Sequence, residues 1–148
     1  VADNSFLKVF LAECYWHLAD YESGLSVLTH PTEVRSFEAE RLRLLAEFYY
    51  QKSLAQKEVG QKKACQDYAK EYYQQALAYS AKQCANAYSL RILVGLCRLL
   101  QKQEGGLAVR KRLLDTCALF SEGHDTLDLQ EAKQAADMIY KDKVVPTK

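Results

Sequence analysis

The chain has 148 residues, 49% of them hydrophobic and 26% charged, which is the size and make-up of one ordinary globular domain and excludes a wholly disordered chain. Twenty basic residues against nineteen acidic ones leave a net charge of +1, which excludes the basic footprint of a nucleic-acid binder. No apolar run reaches the roughly 18 residues that a membrane span needs; the richest stretch, Leu90 to Leu100, is interrupted by Arg91 and Arg98.

Six glycines and two prolines leave room for long helices, and the apolar spacing predicts about seven of them. The first starts after the polar cluster Asp3-Asn4-Ser5 and runs to about Leu18, with Phe6, Leu7, Phe10, Leu11, Cys14, Tyr15 and Leu18 at helical spacing. Asp20 caps a short second helix from Tyr21 to about Leu28, and Pro31 falls in the connection that follows. Ser36 is expected to cap a long third helix reaching about Lys57, with Gly60 as its stop. A fourth runs from about Lys62 to Ala81. A fifth, from about Ala85 to Lys102, is apolar on most faces and wants covering by neighbours. Gly105-Gly106 breaks the chain before a sixth helix from about Ala108 to Phe120, whose Arg110-Lys111-Arg112 run reads as a solvated first turn. A loop containing His124 leads to a last helix, capped by Asp125 or Thr126, ending near Lys141. Residues 143–148 read as a flexible tail, and 1–142 as one helical domain. No segment alternates as a strand does, and no Asn-Gly or Asp-Gly hairpin turn occurs.

The five cysteines are odd in number and include no Cys-x-x-Cys pair, which argues against a disulfide framework and a zinc site. Four lie in helical apolar patterns and are expected as buried, reduced thiols, pointing to the cytoplasm or nucleus. The N-terminus has neither the charged and apolar regions of a signal peptide nor an initiator Met, so the chain reads as part of something longer.

The pattern Leu-Ala-Glu-x-Tyr occurs at Leu11-Ala12-Glu13-Cys14-Tyr15 and recurs 34 residues later at Leu45-Ala46-Glu47-Phe48-Tyr49. The first copy continues into Asp20-Tyr21-Glu22-Ser23-Gly24, and the second helix of the second copy is carried by Ala69, Tyr73, Ala76 and Leu77, about eleven residues late. These residues resemble the tetratricopeptide repeat, whose period is 34 residues. The resemblance covers residues 5–80; residues 52–64 read as an insertion adding turns to both helices, with Gly60 in the loop between them. It implies an all-α fold of antiparallel hairpins stacked as a right-handed superhelix, and a scaffold that binds proteins on a curved surface. Within that class, the run Tyr68 to Leu77 and the segment Leu45 to Tyr49 resemble the subunit 2 family of the ER membrane protein complex. That resemblance implies a permanent subunit of a larger assembly, peripheral on a membrane complex. A small helical-bundle regulatory domain is the further alternative.

No residue set suggests catalysis, a cofactor or a metal. His17, His30 and His124 form no His-x-x-x-His pair, and His17 reads as groove-lining or partly buried. Cys14 and His17 are three apart on one helix but have no evident third, orienting group. Three aromatic doublets, Tyr15-Trp16, Tyr49-Tyr50 and Tyr72-Tyr73, divide between core and edge, because adjacent helical residues point about 100° apart. The repeat register assigns Tyr15 and Tyr49 to packing and places Trp16 and Tyr50 on the concave face with Glu13, His17, Arg43, Glu47 and Gln51. Such an aromatic and charged strip suits capture of a peptide or partner subunit, since Trp, Tyr and Arg are the usual interface anchors; the same side chains equally suit packing against the next helices. The Lys-and-Asn clamp that some tetratricopeptide proteins use for a C-terminal carboxylate is absent, its positions being Val9, Glu13, Arg43 and Glu47. The sequence-level expectation is therefore a non-catalytic protein-binding scaffold without nucleic-acid, membrane-spanning or cofactor chemistry. A permanent subunit would instead need a large apolar face, expected on the Leu90–Leu100 helix.

Overall fold

A computed structural model describes residues 4–32, 34–123 and 125–144, without the side chains of residues 35, 36 and 140–144. The described residues form seven helices and their connections, with no strand among them. The helices are α1 (Ser5–His17), α2 (Tyr21–Val27), α3 (Arg35–Ala55), α4 (Val59–Lys82), α5 (Asn86–Leu100), α6 (Gly106–Cys117) and α7 (Leu127–Val144). They fall into two compact units, Val1–Gln83 and Cys84–Lys148. The turn expected at His124 and the last four residues of the expected tail lie outside the described residues. No helix among them is long and apolar enough to cross a membrane.

In the first unit, α1 and α2 pair and both pack on α3, which in turn runs against α4. The α1–α2 turn passes through Ala19 in the left-handed region, at φ +56°. Asp20 caps α2 as the sequence predicts, its carboxylate accepting the Ser23 N–H at 3.2 Å. The small residues of the repeat signature sit where helices meet. Ala12, Ala46, Ala69 and Ala76 are fully buried, as is Tyr73 between the last two. Gly24 has a sharper reason to be small, because a Cβ there would lie 2.2–2.8 Å from three ring atoms of Phe48 on α3.

Two expected helix ends move. Ser36 does not cap α3; the helix begins two residues earlier than that cap implies, at Arg35 after the extended Val34. What holds this start is Glu38, whose Oε2 accepts both the backbone N–H and the hydroxyl of Thr32 at 2.9 Å. Gly60 is not a stop but the second residue of α4. The chain turns instead through residues 56–58, where Gln56 and Glu58 adopt extended backbone. Glycine is cheap in a first helical turn, whose amides have no partner within the helix. Apart from the turn through residues 56–58, residues 52–64 belong to α3 and α4, which are 21 and 24 residues long.

In the second unit, α5 packs on α6 and α7, and α6 and α7 pack on each other. All of Leu90, Ile92, Leu93, Val94, Leu96, Leu99 and Leu100 are buried, so the expected covering of α5 is realised inside its own unit. That removes the Leu90–Leu100 helix as an apolar face awaiting a partner. Gly105, at φ +89°, makes the turn into α6, and α6 starts at Gly106 rather than Ala108. A Cβ on Gly106 would lie 2.7 Å from the Leu100 carbonyl oxygen, so only glycine lets the chain fold back this tightly. The basic run at 110–112 falls in the second turn of α6, and Arg110 is not simply solvated: its Nε donates to the Ala136 carbonyl on α7 at 2.9 Å.

Candidate functional site

The seven residues expected on one concave strip all lie on α1 and α3, but the fold puts them to different uses. Trp16 packs into an aromatic cluster, with its ring 5.8 Å from Tyr21 and 5.7 Å from Phe48. Tyr21 meets Phe48 at 6.1 Å, so the three rings join α1, α2 and α3. Of the two readings of Trp16, capture and packing, this geometry is packing. His17 is exposed at the end of α1, not partly buried, and Tyr50 and Gln51 are half-buried on α3.

Arg43 sits at the centre of a network of carboxylates. Its Nε and Nη2 make a two-pronged contact with Glu40 at 2.9 and 2.6 Å. Glu47 lies at 3.9 Å and Glu13, from α1, at 4.0 Å. Burial works against the guanidinium charge, but Glu40 and Glu47 outweigh it and hold Arg43 more firmly protonated than a free arginine. Only Glu13 of these groups has substantial access to water, with 44% of its side chain exposed. Arg43 and Glu47 are thus committed to each other and to α1, which makes them joints of the unit.

On the opposite stripe of α3, Arg41 and Leu45 are buried and Tyr49 and Lys52 are half-buried. Arg41, Leu45, Tyr49 and Lys52 recur at helical spacing and line a groove of about 450 Å³. Its other walls are Glu22, Leu25 and Ser26 on α2, the link residues Leu28, Thr29 and Pro31, and Tyr72 on α4. The groove is aromatic on its α4 side. Tyr49 stacks on Tyr72 at 5.7 Å and 19°, and its other neighbour, Tyr68, lies at 5.3 Å. Burial, and then the nearby Tyr72, push the Tyr49 hydroxyl up from its ordinary value, so it stays a neutral donor and acceptor. At one end Lys52 donates to Glu22 at 2.8 Å, and this hydrogen bond holds the Lys52 pKa up. At the other end Arg41 is fixed by Glu38 at 2.8 and 2.6 Å and by the Leu28 carbonyl at 2.7 Å.

Sequence reasoning assigned Tyr49 to packing, named Tyr72 only as part of an aromatic doublet, and did not single out Arg41 or Leu25. Tyr49 does pack, against Tyr68 and Tyr72 of α4, but it is half-buried, so one side of it also lines the groove. The signal available was the spacing Arg41-Leu45-Tyr49-Lys52, a mixed stripe opposite Arg43 and Glu47.

All five cysteines are free, but the expectation of buried thiols holds only for Cys97. Burial pushes that thiol up to about 12. Cys14, Cys65 and Cys117 are half-buried, since these helical faces look partly outward, and Cys84 is exposed in the turn after α4. Cys14 and His17 remain a pair by spacing alone. Among the described residues no group of three or more His, Cys, Asp or Glu side chains is arranged to hold a metal ion.

No protein-family model matches this sequence, and no curated protein or solved structure matches it.

Proposed function

We propose that this chain is a non-catalytic scaffold of tetratricopeptide-like hairpins that holds a segment of a partner protein, without a cofactor. The observation that carries the reading is the division of α3 into two stripes. One stripe, Arg43 and Glu47, is consumed in internal ion pairs. The other, Arg41, Leu45, Tyr49 and Lys52, floors an open groove with aromatic and aliphatic walls. A partner segment lying there gains apolar contact from half-buried Leu25, Tyr49 and Tyr72 and orientation from the Lys52–Glu22 pair at one end. The repeat character is supported by the buried small residues Ala12, Gly24, Ala46, Ala69 and Ala76, which stand at the signature positions of two successive hairpins.

Panning a display library of random peptides against the purified chain tests this. Binders are expected, and their affinity should fall about tenfold or more when Tyr49→Ala is combined with Tyr72→Ala, the loss typical of an aromatic anchor pair. The same binders should be indifferent to Glu13→Gln combined with His17→Ala. The reverse pattern would return the binding surface to the α1–α3 strip, and a library that yields no binder would remove the scaffold reading. Circular dichroism on each variant separates lost binding from lost folding.

A further inference from the structure

α1 has a second apolar face that the described residues of its own unit cover only at one end, where Phe6 meets Phe37. Val9, Ala12 and the small Ser5 are buried on the inner side. On the outer side Phe6, Leu7, Phe10 and Leu11 are between 44% and 58% exposed, and Leu18, in the turn that follows, is 74% exposed. Half-buried Cys14 completes the row, so the stripe runs 7, 10/11, 14, 18 along the whole helix at helical spacing. Phe6 and Phe10 stack on each other at 6.1 Å, and Phe6 meets Phe37 of α3 edge-on at 5.8 Å, which holds the outer face in one shape.

We infer that this face of α1 is the contact through which two copies of the chain pair. The area fits. Large apolar side chains about half exposed contribute on the order of 100 Å² each, so these five present about 500 Å². A stable pair buries about 800 Å² per copy, of which about 65% is apolar in homodimers. An apolar centre of this size with a polar rim drawn from neighbouring residues meets both figures. The chemistry fits a copy of itself as well. Along 7, 10/11, 14 and 18 the stripe carries no charged side chain and Lys8 lies off it; Glu13 borders it beside Phe6 but faces Arg43 at 4.0 Å, and exposed His17 sits on its edge, in the row of Phe6 and Phe10. Two helices meeting antiparallel about a two-fold axis oppose their dipoles, and a face that binds itself closes at two, so no filament grows. This contact is independent of the α2–α3–α4 groove: it can fail with peptide binding intact, and the reverse.

Sedimentation equilibrium of the purified chain over a range of concentrations reads the pairing directly. The wild type is expected at twice the monomer mass at micromolar concentration. Phe10→Glu and, separately, Leu18→Glu should sediment as one chain with an unchanged helical spectrum, since both side chains are more than half exposed in the single chain. Leu107→Glu, an equally exposed apolar site on α6, should leave the mass doubled. A wild type that stays at the mass of one chain throughout overturns the proposal and leaves the stripe to a different partner. Doubled mass that survives both α1 substitutions overturns it too, by placing the contact elsewhere.

Discussion

At the scale of single residues, this sequence is governed by where bulk is forbidden and where charge is enclosed. Gly24 is the clearest case, because the Phe48 ring occupies the space its side chain would need. Gly24→Ala is expected to destabilise the chain by about 2 kcal/mol, the usual cost of overpacking a core. Urea unfolding measures it, and Gly24→Ala together with Phe48→Leu should regain most of the loss, because the smaller side chain vacates the contested space. A Gly24→Ala variant as stable as the wild type would show that the Phe48 ring can move aside. The sequence announced a small residue at this position through its repeat pattern, but not which side chain demands it. Trp16 teaches the complementary lesson. Its place in the register left capture and packing equally open, whereas the rings of Tyr21 and Phe48 lie against it, a contact set by α2 and α3 together.

At the scale of elements, the link between α2 and α3 is closed by a clasp. Glu38 takes two hydrogen bonds from Thr32 and two from Arg41, and Arg41 reaches the Leu28 carbonyl at the end of α2. Burial alone would raise the Glu38 carboxyl, but the hydrogen bonds from Arg41 and Thr32 prevail and hold it below the usual carboxylate range. A group whose folded pKa is depressed contributes stability above its unfolded pKa and loses it as pH falls through the folded value. The chain should therefore lose stability on acidification below the ordinary glutamate range, and Glu38→Gln should flatten that part of the profile while lowering stability at neutral pH. Thermal melts of both proteins from neutral to acid pH measure the difference; parallel curves would show that the clasp does not depend on the charge. Helix existence was legible throughout, since every apolar stripe became a helix. Helix ends were less so. Gly60 and Ser36 looked like punctuation, yet extended backbone at residues 56–58 and the Glu38 side chain decided the boundaries.

At the scale of the molecule, each unit has its own buried centre. Leu42, Leu44, Leu45, Phe48, Tyr73 and Leu77 are buried in the first, and Leu90, Ile92, Leu93, Leu113, Leu129 and Ile139 in the second. A fragment comprising residues 1–83 is expected to retain the helical spectrum of its segment and to melt cooperatively. A fragment that is coil by circular dichroism would show instead that the first unit depends on the rest of the chain. Surface pairs such as Arg91–Asp128 and Arg98–Glu131, both more than a third exposed, contribute little to either unit, and the packed apolar centres carry the stability.

The sequence by itself determined the all-α class, the number of helices, and the small-residue positions of the first two hairpins. All three follow from local rules: apolar spacing, scarce breakers, and the need for close approach wherever Ala or Gly recurs. It did not determine which stripe of α3 faces water. Arg43 and Arg41 are two residues apart and equally polar in composition, and both side chains are enclosed; only the tertiary structure pairs the first with Glu40 beside α1 and sets the second, held by Glu38 and the Leu28 carbonyl, into the wall of a groove. Nor could it say what would cover the apolar faces of α5 and α1. Three-dimensional packing buries α5 against α6 and α7 and leaves the outer face of α1 exposed, because coverage depends on which elements meet, and hydrophobic spacing records only that a face is apolar.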